Sequence, residues 1–411
     1  MSRIDDLIAE LAPAGVGYRT LGDIARLVRG NGMPKSDLTD EGVGAIHYGQ
    51  IYTRYGVWAT ETLSFVAPEK AAKLTVADPG DIIVTNTSEN VDDVGKAVAW
   101  LGAGSVVTGG HATVIKHGED PKFLSYWFGS EEFSKQKRKL ATGTKVIDVS
   151  AKQLATVRVP IPPLPIQREI VRVLDQFTRL EAELQLELEA RRSQRIALAN
   201  NYAVASRDKL GEGTRSDRVK LGSIARESVE PVKIQADQSY GTLGVKWSGG
   251  GVLVRDPRPG DSIKATTLYR ARAGQLIYNR MFVVEGSFAL VPDECEGAVV
   301  SGEFPLFELD LARVEPEWLL QHLCDPYMLK RIEGEVTGTE RGSMKSRRRW
   351  KADQFVNFEI SLPSMETQQE IVRVLRSSDA LIRSLKDELS ARRKQYEYYR
   401  DCLLTFKELA V

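Results

Sequence analysis

This 411-residue sequence has only three cysteines and no formal net charge. The three cysteines, Cys295, Cys324 and Cys402, lie far apart and form no CxxC pair, so the pattern indicates neither a disulfide framework nor a cysteine zinc site. The 56 basic residues are balanced by 56 acidic ones. This balance excludes a uniformly polyanion-binding surface, although it is compatible with local basic patches.

Long apolar segments and targeting signals are also missing. No run approaches the roughly 18 apolar residues of a membrane-spanning helix. The N-terminus is acidic and amphipathic, and it lacks the shape of a signal peptide. The sequence therefore predicts a cytoplasmic protein in a reducing compartment, without a membrane partner.

Catalytic signatures are absent as well. There is no G-x-x-x-x-G-K-[ST] phosphate loop, no H-E-x-x-H zinc motif and no G-x-S-x-G elbow. The histidines are expected to be single surface or core residues: His47, His111, His117 and His322. Asp325-Pro-Tyr327 resembles part of the D-P-P-Y loop of amino-methyltransferases, but it lacks the second proline and lies in a predicted helix. We expect no catalytic residue, metal or cofactor in this chain.

What the sequence does contain is a long repeat. Residues 167–194 begin Q-R-E-I-V-R-V-L and end A-R-R-S-Q, and residues 368–395 begin Q-Q-E-I-V-R-V-L and end A-R-R-K-Q. Leucines four apart occur in both copies: Leu180, Leu184 and Leu188, then Leu381, Leu385 and Leu389. The period is a whole domain plus a long helix, which indicates a duplication rather than a solenoid.

Both copies are predicted to lie in long helices, at about residues 166–206 and 367–407, each roughly 60 Å in length. An apolar stripe is expected along the first helix: Ile170, Val173, Phe177, Leu180, Leu184, Leu188 and Arg191. Two similar long helices most simply pack on each other as an antiparallel intramolecular coiled coil with pseudo-two-fold symmetry. The alternative is that each helix packs on its own domain.

The segments before the two helices also correspond. The pattern L-G-x-I-A occurs at residues 21–25 and again at 221–225, and T-G-T occurs at 142–144 and at 337–339. Glycine-broken strands are predicted at 44–52, 62–66, 80–85, 97–100 and 112–115, and matching helices at 121–140 and 316–332. We therefore predict an α+β fold with two similar domains, at 1–160 and 209–362, each an irregular β core plus helices. The long helices, at 161–208 and 363–411, join them.

Basic segments at equivalent places predict contacts with nucleic acid. Residues 341–351 contain six basic residues and no acid, and residues 135–145 are basic at the matching position of the first half. Arginine and lysine neutralise phosphates, and glycine and threonine let backbone N–H groups approach them. The alternative is a solvated charged loop. The candidates are Lys137, Arg138, Lys139, Thr142, Gly143, Thr144 and Lys145, and Thr337, Gly338, Arg341, Lys345, Arg347, Arg348, Arg349 and Trp350.

Loops with aromatic, amide and basic side chains are the candidates for reading bases, because arginine pairs with guanine and asparagine or glutamine with adenine. In the first half they are Lys35, His47, Gln50, Tyr52, Arg54 and Asn86. In the second half they are Lys246, Trp247, Tyr278, Asn279 and Arg280. The tyrosines fit a core position equally well.

The arrangement resembles the specificity (S) subunit of type I restriction–modification systems. The resemblance rests on the proline-rich entry P-I-P-P-L-P-I-Q-R-E-I-V at residues 160–171 with its helix, and on residues 362–395 with theirs. The L-G-x-I-A starts and V-S-G-E-F-P-L at residues 300–306 add to it. The second entry, L-P-S-M, departs from the pattern because it lacks the proline cluster.

The resemblance implies that each half is a target recognition domain reading one part of a split, asymmetric double-stranded DNA site. The helices would set the unread spacer and dock two methyltransferase (M) subunits. Those partners would bind S-adenosylmethionine and flip out the adenine that they methylate, and restriction (R) subunits would use ATP and Mg²⁺. This chain would be non-catalytic. The docking candidates are Glu181, Glu187, Arg191 and Arg192, and Glu388, Arg392 and Arg393.

Two other functions fit the sequence less well. A stand-alone two-domain DNA-binding module or repressor would use the same domains without a methyltransferase partner. A nuclease or methyltransferase in its own right would need the motifs that are missing. A specificity subunit should co-purify with a protein that binds S-adenosylmethionine, whereas a stand-alone DNA-binding module should not. An enzyme would have to show turnover as the purified chain.

Overall fold

The computed structural model describes residues 2–205, 217–336 and 349–409. The chain divides into two compact units, one of Met1–Leu186 with Lys386–Val411 and one of Glu187–Leu385. Each unit combines sheets and helices, and each contains a segment of both long helices. The predicted α+β class with two sheet-rich domains is therefore confirmed.

The first unit begins with short elements and ends in a long helix. The helices are α1 Ser2–Leu11, α2 Leu21–Ile24, α3 Tyr48–Thr53, α4 Pro68–Ala71, α5 Pro121–Phe128, α6 Glu131–Leu140, α7 Ala151–Ala155 and the start of α8 Leu164–Ala205. The strands are β1 Tyr18–Thr20, β2 Ala25–Arg29, β3 Val43–Ile46, β4 Trp58–Ala59, β5 Ser64–Val66, β6 Thr75–Ala77, β7 Ile82–Thr85, β8 Thr87–Ser88, β9 Ala97–Trp100, β10 Val106–Thr108, β11 Ala112–His117, β12 Ile147–Asp148 and β13 Arg158–Pro160.

Two sheets form the β core of this unit. One has the order β2-β11-β7-β9-β4 and the other β5-β3-β10-β6, and the pairs β1-β13 and β8-β12 complete it. In the first sheet Val114 lies opposite Val28 on one side and Ile83 on the other. The main core packs the aromatic face of α5, including Phe123 and Trp127, against the start of α8. The long helix is therefore part of the domain's own core at its N-terminal end.

The second unit repeats this plan after residue 216. Its strands are β14 Asp217–Lys220, β15 Ala225–Ser228, β16 Pro231–Lys233, β17 Ser239–Val245, β18 Val252–Pro259, β19 Thr267–Arg270, β20 Leu276–Tyr278, β21 Phe288–Leu290, β22 Val299–Val300, β23 Leu306–Leu309 and β24 Glu359–Leu362. Its helices are α9 Pro316–Leu323, α10 Pro326–Glu335, α11 Ala352–Asn357 and the start of α12 Met365–Leu404.

The duplication predicted from the sequence is visible in the strand pairing. The pair β14-β24 corresponds to β1-β13, and the sheet β15-β23-β20-β21 corresponds to β2-β11-β7-β9. The remaining sheet differs, since the second unit has the order β16-β19-β22-β17-β18 where the first has four strands. The shared scaffold thus carries a different second sheet in each half.

The single helix predicted at residues 121–140 is wrong, because it is two helices. Gly129 ends α5, and the Ser130 hydroxyl caps α6 by accepting from the backbone N–H of Phe133 at 3.2 Å. In the second unit the Asp325 carboxylate caps α10 by accepting from the N–H of Tyr327 at 3.0 Å. A side-chain acceptor of this kind satisfies N–H groups that have no partner inside a helix.

The long helices run antiparallel within each unit. In the first unit the Phe177 ring stacks on Tyr399 at 5.5 Å, and the Glu181 carboxylate accepts from Arg393 Nε at 2.7 Å. In the second unit Arg195 Nε donates to Asp379 at 3.1 Å, while Tyr202 packs on the cluster that contains Leu375. In both units, residues later in α8 contact residues earlier in α12. This confirms the predicted antiparallel direction of the two helices.

The predicted stripe is right in its spacing but not at every position. Leu184 and Leu188 are buried, and so are Leu385 and Leu389. Leu381, however, is 41% exposed, and the neighbouring Ile382 is buried in its place. Helices with 3.6 residues per turn drift relative to a strict repeat of fours, so a leucine at the end of the series leaves the buried face.

Each copy of the repeat begins with a glutamine that is buried. Gln167 Oε1 accepts from the backbone N–H of Asp120 at 2.9 Å, and its Nε2 donates to Glu119 Oε2 at 2.7 Å and to the Pro162 carbonyl at 2.8 Å. Gln368 repeats this, accepting from Glu315 N–H at 2.8 Å and donating to the Pro363 carbonyl at 2.9 Å. Both glutamines are fully buried. We call them the glutamine clamps, since each ties a long helix to the segment before α5 or α9.

Candidate nucleic-acid interface

Four separate segments of the first unit meet at one surface, which we call the His47–His111 surface. It comprises His47, Tyr48, Tyr52, Thr87, His111 and residues 142–148. The Tyr48 ring lies 4.5 Å from His47 and 4.8 Å from His111 between ring centroids. His111 Nδ1 lies 2.9 Å from Thr87 Oγ1, and Thr87 is opposite Asp148 in the β8-β12 pair.

A helix cap gives the first of these segments its shape. His47 Nδ1 accepts from Gly49 N–H, and Gln50 Oε1 accepts from His47 N–H, each at 3.2 Å. This capping box starts α3, so the strand predicted over residues 44–52 ends at Ile46 and is wrong beyond it. Gln50 Nε2 also donates to Ser64 Oγ at 2.6 Å. Its amide is therefore engaged within the domain.

The T-G-T segment forms the tip of a small hairpin. Thr142 and Asp148 exchange backbone hydrogen bonds of 3.0 and 2.8 Å, and Gly143 has a φ of +101°. A Cβ at Gly143 would lie 2.0 Å from the Val146 carbonyl oxygen, so only glycine fits this turn. Thr142, Gly143, Thr144 and Lys145 are all exposed. Their exposure is compatible with the predicted phosphate contacts.

The other basic candidates of the first unit also lie on its surface. Lys35 is exposed in a short turn, and Arg54 is exposed after the last residue of α3. Lys139 is exposed in the last turn of α6, where Arg138 forms an ion pair of 3.6 Å with Glu131. Tyr52 is half-buried beside Tyr48. These positions leave the predicted contacts open to nucleic acid.

Two candidates in the first unit are corrected, because they are buried anchors rather than surface contacts. Asn86 is 0% exposed, and its side chain donates to the Val149 carbonyl at 2.7 Å and accepts from Thr113 at 2.8 Å. Lys137 Nζ donates to the carbonyls of Asp92 and Val94 at 2.9 and 2.8 Å. Burial lowers the pKa of Lys137 to about 8. Both residues hold neighbouring loops in place.

His47 makes the stability of the first unit depend on pH. Burial, followed by the charges of His111 and Lys35, lowers the pKa of His47. The unfolded chain therefore takes up the proton more readily, and the free energy of unfolding should fall as the pH drops below about 6.5. Protonation also removes the acceptor that caps α3, which is worth about 1 kcal/mol.

The His47→Asn variant tests this, because asparagine supplies a cap acceptor that does not titrate. The quantity to compare is the free energy of unfolding of the variant minus that of the parent chain. We expect this difference to be roughly 1 kcal/mol more favourable to the variant at pH 5.5 than at pH 7.5. Urea denaturation at the two pH values measures it. A difference between the two chains that stays constant with pH would contradict the assignment.

The second-half candidates meet at another surface, which we call the Trp247–Arg280 surface. It comprises Lys246, Trp247, Arg280, Met281, Phe282 and Arg349. Trp247 is 60% exposed in the β17-β18 turn, and its ring lies 5.8 Å from Phe282. The turn is fixed by a hydrogen bond of 2.9 Å from Ser248 N–H to the Glu285 carbonyl. Lys246 beside Trp247 is exposed.

A glutamate organises the other side of this surface. The Arg280 N–H donates to the Glu303 carbonyl at 2.9 Å, and Arg349 Nε lies 3.1 Å from the Glu303 carboxylate. The Arg280 carbonyl accepts from Trp350 N–H at 3.1 Å. The structure thus brings together the second-half segments that the sequence treated as separate candidates.

Three candidates of the second unit are core residues, which corrects their prediction as surface contacts. Tyr278 and Trp350 are each 0% exposed, with ring centroids 5.4 Å apart, and Tyr278 Oη donates to the Trp350 carbonyl at 3.1 Å. Asn279 is 7% exposed and accepts from Met281 N–H at 3.0 Å. Aromatic rings packed in a core cannot stack on bases. Thr337, Gly338, Arg341, Lys345, Arg347 and Arg348 lie outside the described residues.

The sequence analysis did not single out Thr87 and His111 in the first surface or Met281 and Phe282 in the second. One signal was available. Asn86 follows β7 and Asn279 follows the equivalent strand β20, so both start the same loop of the duplicated scaffold. Residues 87–95 and 280–287 were therefore candidates by position, although their sequences differ.

The predicted docking residues lie on the long helices. Glu181 and Arg393 form an ion pair with each other. Glu187 pairs with Arg191 at 3.4 Å, and Glu388 pairs with Arg392 at 3.5 Å. Arg192 is exposed. The equivalent ion pairs in the two copies of the repeat give both helices a similar charged face.

Within residues 2–205, 217–336 and 349–409, no group of three or more His, Cys, Asp or Glu side chains is placed to hold a metal ion. Among the helices of these same segments, none is long and apolar enough to cross a membrane.

Comparisons with known proteins agree with this architecture. Residues 13–190 match the family described as the type I restriction modification DNA specificity domain. The chain is 26% identical over 320 residues to the type I restriction enzyme EcoR124I/EcoR124II specificity subunit of Escherichia coli, which covers 69% of this chain and 70% of that protein.

Solved structures of S subunits share the fold. The HsdS subunit from Thermoanaerobacter tengcongensis superposes with a TM-score of 0.56 at 17% identity, covering 96% of this chain and 97% of that one. The S subunit from M. genitalium gives a TM-score of 0.51 at 12% identity, covering 95% and 96%. Residues 13–190 are therefore similar to the DNA specificity domain of type I restriction–modification systems. The chain is similar to the specificity subunits of these systems, which confirms the predicted resemblance.

Proposed function

We propose that this chain gives a type I restriction–modification complex its sequence specificity. Each unit reads one element of a split, asymmetric double-stranded DNA site. The observation that carries this proposal is the pairing of one duplicated scaffold with two different exposed surfaces. A scaffold that differs at the His47–His111 and Trp247–Arg280 surfaces suits two different short base sequences.

The long helices have a separate role in this proposal. Their length sets the number of unread base pairs between the two elements, and their charged faces dock two methyltransferase subunits. These partners bind S-adenosylmethionine and methylate adenine, while restriction subunits supply the ATP- and Mg²⁺-dependent steps. The chain itself takes no part in the chemistry. Two equivalent ion pairs, Glu187–Arg191 and Glu388–Arg392, support two equivalent docking faces.

The proposal predicts that damage to one surface changes one half of the recognised site. Replacing Lys246 and Trp247 by alanine should relax base preference in one element, and replacing Tyr52 and Lys145 should relax it in the other. Each good base contact discriminates by about 1–3 kcal/mol, so positions that are invariant in the parent motif should become degenerate. Methylome sequencing of cells that express the chain with its partners measures both elements.

The matched control is Leu311→Ala, since Leu311 is 67% exposed in the second unit and belongs to neither surface. It should leave the methylated motif unchanged. If both double variants degrade the same element, the assignment of one element to each unit is wrong. If no methylated motif depends on the chain, the proposed function itself is wrong.

A further inference from the structure

A cationic cavity lies on the second unit, on the sheet β16-β19-β22-β17-β18. Its volume is 380 Å³, and the residues that line it include Arg255, Arg258 and Lys264 but no aspartate or glutamate. Apolar side chains such as Leu243 and Phe304 also line it. We call it the Arg255–Arg258 pocket.

A β-bulge places the two arginines on the same side of strand β18. Side chains alternate along a regular strand, so residues three apart would point to opposite faces. Here Arg255 is opposite Thr242 and Arg258 is opposite Tyr240, so two residues of β18 face the single residue Gly241. Because of the extra residue, the Arg258 side chain lies on the same face of β18 as that of Arg255. Bulges change the direction of side chains in this way. The sequence R-D-P-R thereby places two arginines on one face of β18, and both line the pocket.

The three cations have no acidic partner within the described residues. The Arg258 guanidinium donates to the Ser262 carbonyl at 3.2 Å, and no carboxylate in the described segments pairs with Arg255, Arg258 or Lys264. On the same sheet, by contrast, Arg270 pairs with Glu230 at 2.9 Å. An anion would therefore meet three charges that no carboxylate of the described segments neutralises.

The pocket adjoins the Trp247–Arg280 surface. A smaller cavity of 120 Å³ is lined by Arg280 together with Glu227, Tyr269 and Phe304. Phe304 also lines the Arg255–Arg258 pocket, so the two cavities are neighbours that share this residue. A ligand that extends from Arg280 past Phe304 meets the arginine pair.

We propose that the Arg255–Arg258 pocket binds phosphodiester groups of the DNA backbone beside the element read by the second unit. This proposal rests on the proposed function. DNA presents a phosphate every few ångströms along each strand, and the planar guanidinium fork of arginine matches phosphate oxygens. Contacts of this kind position a protein on DNA without selecting a base sequence.

Salt dependence of binding tests the proposal on the complex of the chain with its methyltransferase partners. The probe is a duplex that carries the methylated motif of the parent complex. Each phosphate contact contributes about 0.9 to the slope of log K against log salt. We expect Arg255→Gln with Arg258→Gln to lower the slope by roughly 2 and to weaken binding more than tenfold at low salt. The methylated motif should not change.

Arg226→Gln is the control for the loss of an arginine charge outside the pocket. Arg226 lies on the other sheet of the same unit, where it pairs with Glu308 at 2.5 Å, and its side chain is 81% exposed. It removes one positive charge and should leave the slope unchanged. Thermal denaturation should show that all variants stay folded, because Arg255 and Arg258 are exposed.

The outcomes separate the possibilities. A parent complex that binds no specific duplex contradicts the proposed function. A parent complex that binds specifically, while the double variant keeps its slope and affinity, contradicts this pocket alone. Calorimetry with inorganic phosphate measures whether the pocket binds a free anion. Phosphate binding that needs the arginines, together with an unchanged DNA slope, would overturn the assignment to DNA.

Discussion

A longer DNA spacer is the expected result of lengthening both long helices. Four residues inserted between Leu186 and Glu187 in α8, and four between Leu385 and Lys386 in α12, add about one turn at the position where each helix leaves one unit of the chain and enters the other. The four residues add about 6 Å, because each helical residue rises 1.5 Å. At about 3.4 Å per base pair, the unread spacer should grow by one or two base pairs. Methylome sequencing reads the new motif directly.

A graded series makes this prediction sharper. Insertions of seven residues in both helices add about 10.5 Å, which corresponds to about three base pairs. The two recognised elements should stay the same in every active variant, since the inserted residues lie outside both surfaces. Lengthening α8 alone is the control, because it leaves the antiparallel partners mismatched and should lower methylation without a longer spacer. An active double insertion with an unchanged spacer would show that the helices do not set it.

The scaffold could be predicted from the sequence because its signals are periodic or repeated. The direction and extent of α8 and α12 follow from leucine spacing and from the repeat. The repeat also held information that was not used. Trp350 is 201 residues after Val149, the same offset as the two copies of the long helix, and both are 0% exposed. The tryptophan thus occupies the same core position in the second half as the valine in the first.

The recognition surfaces could be predicted only in part, because they depend on contacts between distant segments. His47 and His111 are 64 residues apart and are joined through the ring of Tyr48. Nothing local in the sequence fixes that meeting. The bulge in β18 depends in the same way on its pairing with β17. The residue types indicate which side chains could contact DNA. Which of these side chains are exposed depends on the sheet register, which the sequence does not show.

Loss of a glutamine clamp is expected to destabilise its own unit strongly. The Gln167→Leu substitution removes three hydrogen bonds and leaves the partly buried Asp120 N–H and the buried Pro162 carbonyl without this partner. Each unsatisfied buried group costs about 1–3 kcal/mol, so we expect a loss of about 3 kcal/mol in the free energy of unfolding. Gln368→Leu should have a similar effect through Glu315 and Pro363. Urea denaturation measures both losses.

Hydrogen exchange shows where each loss falls. Gln167→Leu should expose the Asp120 amide to exchange and leave the Glu315 amide protected, and Gln368→Leu should do the reverse. Gln194→Leu is the control, since Gln194 is exposed and its removal should cost less than about 0.5 kcal/mol.

A charged replacement distinguishes the two clamps. Glutamate at 167 would face the Glu119 carboxylate, which accepts from Gln167 Nε2 at 2.7 Å, whereas Gln368 Nε2 donates to the carbonyls of Arg313 and Pro363. Like charges at hydrogen-bonding distance repel, so Gln167→Glu should destabilise more than Gln368→Glu, and the difference should shrink at a pH low enough to protonate carboxylates. Equal losses at neutral pH would mean that Glu119 moves away at little cost. The third hydrogen bond of the first clamp would then be dispensable, and the clamp would depend on the helix-start contacts that both halves share.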